Sequence, residues 1–233
     1  MKINIGGGKH YAPGWVNLDR QNGVTLDEFT ELPCPDGEAD VIYSSHCFEH
    51  LDDATVAQLV AETHRVLAYN GVFVLKIPDF GQVLERWERR DEAWFDRHWG
   101  LASIIPTWAS RSMPVDIHSK AGMIFCGWWN DVYGDEFGER HPEREGAYHG
   151  PAMPLNVVKA WTPHGIASEM REHVPQGAHF NHRNAWSRQQ MRSLLFKHGL
   201  YEDRNARTMP QIPGIEDQWQ ISAYFICKKQ LAR

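Results

Sequence analysis

Between Asp40 and Ile77 the hydrophobic period of the chain changes twice, and those changes restrict the fold more than any other feature. Asp40-Val41-Ile42-Tyr43-Ser44 has the look of a short strand. Val56, Leu59, Val60, Thr63, Val66 and Leu67 then fall at the spacing of one buried helix face. Asp52 or Asp53 is placed to cap that helix and Asn70-Gly71 to stop it. Residues 72–77 come next as an apolar run, the pattern of a strand covered on both faces, and Pro78-Asp79 ends it. Phe80, Val83, Leu84 and Trp87 return to helical spacing. Two shorter strands precede all this, over residues 2–5 and 15–18. Strand and helix alternating in this way predict an α/β chain with a parallel sheet and crossover helices.

The middle of the chain is chemically different. Seven of the ten tryptophans lie between Trp87 and Trp161, and eight of the thirteen histidines between His98 and His182. Residues 91–185 lack sustained periodicity and are rich in Pro and Gly. A long irregular stretch in a compact chain is usually functional, and its aromatic content argues against disorder. Regular patterning resumes at Ser187-Arg188-Gln189-Gln190, a capping box, followed by a face of Met191, Leu194, Leu195 and His198 that Gly199 closes. Residues 219–227 alternate as a half-buried strand would, antiparallel and near an edge. The expected organisation is a core of residues 1–90 and 186–233, interrupted by an insert at 91–185 that forms the acceptor region.

The net charge of -6, with no dense Lys/Arg run, excludes steering onto a nucleic-acid backbone and disfavours anionic membranes. Apolar runs fall far short of the ~20 residues that span a bilayer. Cys34, Cys47, Cys126 and Cys227 lack zinc-ligand spacing. Read as reduced thiols, and with no signal peptide in the opening residues, they lead to the expectation of a cytoplasmic protein.

The chemistry-bearing residues begin at Asn4-Ile5-Gly6-Gly7-Gly8, at the end of the first strand. Open parallel sheets bind ligands at the carboxyl ends of their strands, and glycines there let a ligand approach the backbone. Asp19 ends the second strand, where a carboxylate can accept hydrogen bonds from both ribose hydroxyls. Together with residues 14–19 (GWVNLD), 32–51 (LPCPDGEADVIYSSHCFEHL) and 62–79, the glycine segment resembles the class I S-adenosylmethionine-dependent methyltransferases, in particular their small type 11 group. The resemblance is strong over residues 2–80 and returns weakly at 186–201. It implies a Rossmann-like fold and S-adenosylmethionine as cofactor. Gly6, Gly7 and Gly8 would line the methionine portion, Asp19 would hold the ribose, and Asp27 and Glu28 would flank the adenine. Ser45 and His46 would lie near the reactive methyl, with Glu49-His50-Leu51 as an orienting element. Only ten residues separate Gly8 from Asp19. A parallel crossover generally needs a dozen or more, so a short or absent helix is expected there. The helix that commonly precedes the first strand is also not expected, with the insert or a second subunit of a homodimer covering what that leaves open.

Methyl transfer from a sulfonium needs orientation above all, and a general base only where the acceptor must lose a proton. Histidine suits that role. Beside His46, the candidates are His118, whose Asp116-x-His118 pairing would orient an imidazole or ligate a metal, and His149. His179 and His182 are further polar-loop histidines. No H-x-x-x-H or H-E-x-x-H pair occurs among the histidines of the insert, so no metal is expected. The tryptophans, Trp128-Trp129 first among them, would form either an aromatic acceptor pocket or a subdomain core. The expected acceptor is a small molecule or saccharide taking a methyl on oxygen or nitrogen. The competing readings are a degenerate Rossmann-like binding protein and a nicotinamide-dependent oxidoreductase. The second lacks the third glycine of G-x-G-x-x-G in register.

Overall fold

The computed structural model describes residues 1–8, 11–19, 31–101, 116–126, 155–172, 182–203, 206 and 222–229. It divides into two compact units, Met1–Pro78 with Arg188–Arg233, and Asp79–Ser187.

The first unit is built on a six-stranded sheet. Its strands are β1 (Lys2–Ile5), β2 (Val16–Leu18), β3 (Ala39–Ser45), β4 (Leu67–Pro78), β5 (Leu200–Glu202) and β6 (Ser222–Lys229), in the order β2-β1-β3-β4-β6-β5. The first four run parallel, and β6 is antiparallel to both β4 and β5. This is the expected Rossmann-like sheet with an antiparallel C-terminal strand. The described part of β6 begins at Ser222, residues 219–221 lying outside the described residues. The edge itself belongs to β5.

Helix α1 (Asp53–Val66) buries Val56, Leu59, Val60, Thr63 and Val66, the face its spacing predicts, and Asp52 is its cap, accepting from Thr55 N–H at 2.8 Å. Asn70-Gly71 does not stop it. The helix ends at Val66, Leu67 is already extended, and Gly71 lies inside β4. Gly71 has a different use there, since a Cβ on it would come within 2.6 Å of the Ala39 carbonyl oxygen, beside an irregularity in the β3–β4 register. Lys229 Nζ reaches the Arg65 and Leu67 carbonyls at 3.4 and 3.5 Å, placing a cation at the negative end of the helix. Helix α6 (Arg188–Lys197) buries Met191 and Leu195 and is followed by Gly199 at φ +78°. A Cβ there would press on the His64 ring at 2.9 Å.

The crossover between β1 and β2 has no helix in its described residues, 11–15. Asn17 replaces one. It accepts from Ala12 N–H at 2.9 Å and from Asn4 Nδ2 at 3.0 Å, and donates to the Ala12 and Trp15 carbonyls. Ala12 and Trp15 pack onto Tyr43, Val72 and Val74 of the sheet.

The second unit carries α2 (Phe80–Glu88), α3 (Glu92–Leu101), α4 (Ile117–Cys126) and α5 (Pro163–Arg171). Three of these fall in the stretch expected to be irregular. Helices of nine or ten residues complete fewer than three turns, which leaves little periodicity to read. Thr162 caps α5 with Pro163 in its first turn. Inside the unit Phe80 packs on Phe125 at 5.0 Å, and Trp94 and Phe95 are buried, so these aromatics build a core.

Candidate active site

β1 has β2 on one side and β3 on the other, so the chain reverses its lateral direction there. The carboxyl ends of β1, β2 and β3 therefore meet at the switch point where open sheets bind ligands. Register fixes which residues emerge from the strand ends. Ile5 pairs with Leu18 and with Ser44, which brings Gly6, Asp19 and Ser45 to one end of the sheet.

Gly6 leaves β1 at φ +68° with its N–H bonded to the Leu18 carbonyl at 2.8 Å. A Cβ on Gly6 would lie 2.2 Å from Cys47 Sγ, so this glycine serves the close approach of Cys47 as well as the turn. Gly8, at φ +53°, faces open space, with nothing within 4 Å of where its Cβ would be. Its N–H donates to Asp19 Oδ2 at 3.0 Å, which places the carboxylate directly beside the glycine turn. Gly6, Gly7, Gly8 and Asp19 are all half-buried, accessible without being loose.

Past the end of β3, Ser45 is half-buried and pairs with Lys76, while His46 adopts φ +49°. A left-handed residue other than glycine costs about 1–2 kcal/mol, though histidine is among those that tolerate it best. The turn is held by His46 N–H donating to the Lys76 carbonyl at 2.9 Å. It presents the imidazole between two groups. Nδ1 lies 3.2 Å from Oε1 of Glu49, a carboxylate with no solvent exposure, and Nε2 lies 3.0 Å from Ser222 Oγ at the start of β6. Glu49 owes its position to the single 3-10 turn Phe48–His50, which sets it three residues after His46.

The second unit holds His118 on α4. Trp87 Nε1–H donates to His118 Nδ1 at 2.9 Å, with the two rings edge to face. An indole can only donate, so a neutral His118 carries its own proton on Nε2. His182 is buried, donates from Nδ1 to the Ile124 carbonyl at 2.9 Å and sits edge-on to Phe80, the arrangement of a structural histidine. Asp27, Glu28, His149, His179 and Trp128-Trp129 lie outside the described residues.

Sequence reasoning singled out Gly8, Asp19, His46 and Glu49 but not Asn17 or Ser222. Asn17 carried no signal beyond its place in the GWVNLD segment. Ser222 had none at all, being a small residue in an alternating strand 176 positions from the imidazole it meets.

Residues 13–75 match the methyltransferase domain family. That span takes in the Asn17 crossover, Asp19, β3, the His46 turn, α1 and most of β4. That segment is similar to the methyltransferase domains of the class I S-adenosylmethionine-dependent superfamily. The match supports reading the chain as a methyltransferase that uses S-adenosylmethionine.

Among solved structures, the chain is similar to a Haloferax volcanii methyltransferase determined in complex with the Trm112 activator (12% identity, 100% of this chain and 82% of that one, TM-score 0.42). It is also similar to a Thermotoga maritima S-adenosylmethionine-dependent methyltransferase (12% identity, 98% and 82%, TM-score 0.40). A Mesorhizobium loti S-adenosylmethionine-dependent methyltransferase shares 23% identity over 34% of this chain and 47% of that one, with a TM-score of 0.26. No curated protein matches the chain.

Proposed function

We propose that the enzyme moves the methyl group onto a hydroxyl or amine of a small molecule or sugar, with His46 receiving the proton the acceptor gives up. The observation that carries this reading is the imidazole at the switch point with a fully buried carboxylate 3.2 Å from Nδ1. A carboxylate there favours the tautomer with the proton on Nδ1, leaves Nε2 as a base, and stabilises the imidazolium once formed.

The residues present fit S-adenosylmethionine. Gly8 leaves open the space a Cβ would fill, and Asp19 brings an acceptor carboxylate to the same turn. In this reading Gly6, Gly7 and Gly8 hold the methionine portion and Asp19 the ribose hydroxyls, with Ser45 and His46 at the methyl end. When bound, the cofactor supplies a methyl already activated on a sulfonium, so the chain's own contribution is orientation, exclusion of water and removal of one proton. Net acidity suits a small neutral or cationic acceptor better than a nucleic acid. Cys34 and Cys227 are buried free thiols, which suits a reducing, cytoplasmic setting.

Calorimetry with S-adenosylmethionine tests the cofactor assignment. Asp19→Ala is expected to weaken binding roughly 10-fold or more, the loss of a charge-assisted hydrogen-bond acceptor. Unchanged affinity would reject Asp19 as the ribose anchor. Release of the demethylated product is then followed over a panel of monosaccharides, phenols and primary amines. With any acceptor that turns over, His46→Ala should lower kcat about 10²–10⁴-fold while leaving cofactor affinity intact. Retained turnover in that variant would reject His46 as the base.

A further inference from the structure

The bonding around His46 leaves its basic nitrogen facing a protein group. Glu49 Oε1 lies 3.2 Å from Nδ1, which favours the neutral tautomer that carries its proton there and leaves Nε2 as an acceptor. Within reach of Nε2, at 3.0 Å, is the hydroxyl of Ser222, which is the donor in that tautomer. Ser222 opens β6 opposite Pro78, so it stands at the same end of the sheet as the carboxyl ends of β1, β3 and β4. It is 7% exposed, and Glu49 is not exposed at all. A hydroxyl and a carboxylate on opposite nitrogens of one imidazole is the arrangement by which proteins make a hydroxyl give up its proton.

We propose that Ser222 is a proton relay: the acceptor hands its proton to Ser222, and Ser222 hands its own to His46. The inference rests on methyl transfer at this site and deepens it. The acceptor oxygen or nitrogen forms its bond to the methyl carbon, and the carbon–sulfur bond breaks with its electron pair going to sulfur. The acceptor proton moves to Ser222 Oγ as the serine proton moves to His46 Nε2, leaving an imidazolium against the Glu49 carboxylate. Ser222 is then the side chain that touches the acceptor, and Glu49 is a positioning residue acting through the ring. Acceptors that seat their reacting group against Ser222 are favoured, so the start of β6 contributes to specificity.

The relay predicts a hydroxyl more reactive than an ordinary serine, which is measurable without knowing the acceptor. The full-length protein is treated with a fluorophosphonate and the adduct located by mass spectrometry. In that reaction Ser222 Oγ bonds to phosphorus, fluoride leaves with the phosphorus–fluorine electrons, and the serine proton goes to His46 Nε2. The expected result is a single adduct on Ser222, forming at least roughly 100-fold more slowly in His46→Ala and more slowly in Glu49→Gln. Ser222→Ala should take no adduct and keep its affinity for S-adenosylmethionine, which shows its fold intact. In long-range proton–nitrogen spectra, Ser222→Ala should keep the proton on His46 Nδ1, whereas Glu49→Gln should mix the tautomers. A protein that binds S-adenosylmethionine but takes no adduct on Ser222 overturns the proposal, because the acceptor would need the same access. Labelling indifferent to His46→Ala overturns it equally. Should S-adenosylmethionine fail to bind while Ser222 labels in a His46-dependent way, the methyl-transfer reading of the site falls and the activated hydroxyl stands.

Discussion

Two glycines of the first turn look alike in sequence and differ in what they do. Gly8 sits at φ +53° in open space, so an alanine there meets only the backbone cost of about 1 kcal/mol. Gly6 combines φ +68° with a Cβ position 2.2 Å from Cys47 Sγ and 2.5 Å from Cys47 Cβ. Gly6→Ala must therefore displace the chain that leaves β3 as well as strain its own backbone. It is expected to cost about 2–4 kcal/mol, the sum of strain and overpacking, against about 1 for Gly8→Ala. Urea midpoints of the two variants check this, and equal midpoints would show that the Cys47 contact is soft. Cys47→Ala should partly rescue Gly6→Ala. The glycine segment was visible in the sequence, but which glycine faces open space and which faces Cys47 was not. That depends on a residue forty-one positions away, brought in by strand order.

At the level of elements, two polar side chains do work usually left to longer structure. Asn17 holds a crossover too short for a helix, through partners at Ala12, Trp15 and Asn4. Asn17→Ala leaves the Ala12 amide and carbonyl without these bonds and should cost roughly 1–3 kcal/mol, with faster hydrogen exchange at Ala12. Exchange unchanged from the wild type would show that the staple is dispensable. Arg65 ties residues 32–36 to α1, donating to the Leu32 and Cys34 carbonyls and to Glu62 and Asp36, while Glu62 also accepts from Leu32 N–H at 2.8 Å. The Arg65 guanidinium, helped by the Leu32 amide, holds the Glu62 carboxyl below the usual carboxylate range. A carboxylate with a depressed value in the folded state stabilises the fold above its unfolded value of about 4.3, and that stability is lost as pH falls through the folded value. Wild-type stability should thus decline on acidification below about pH 4.3 more steeply than that of Glu62→Gln. Identical acid limbs in chemical denaturation would contradict it. The exposed Asp36 arm adds little by comparison.

Across the whole molecule, the position of β6 between two other strands has a chemical signature. Cys227 lies on that strand, hydrogen-bonded to β4 on one side and β5 on the other. Burial, with Glu202 adding to it, pushes its thiol up to about 12. A thiol so protonated is a poor nucleophile. Cys227 should resist iodoacetamide in the native protein and react at the rate of global unfolding, because exposing it opens both ladders. Native-state alkylation of Cys227 as fast as in urea would mean that the β5–β6 edge opens separately.

What the linear chain settled is whatever repeats at short range. The α1 face, the β3 and β4 strands, the Asp52 cap and the glycine turn all rest on neighbours within a few residues, where local sterics and periodic burial dominate. Short helices in residues 91–185 escaped notice because fewer than three turns give too little period to see. The end of α1 was misplaced because Asn70-Gly71 obeys a contact with Ala39 rather than a helix-stop rule. The meeting of His46 with Ser222, of Gly6 with Cys47 and of Trp87 with His118 required the folded topology. Such pairs are joined by strand order and helix packing, and spacing along the chain carries no trace of them.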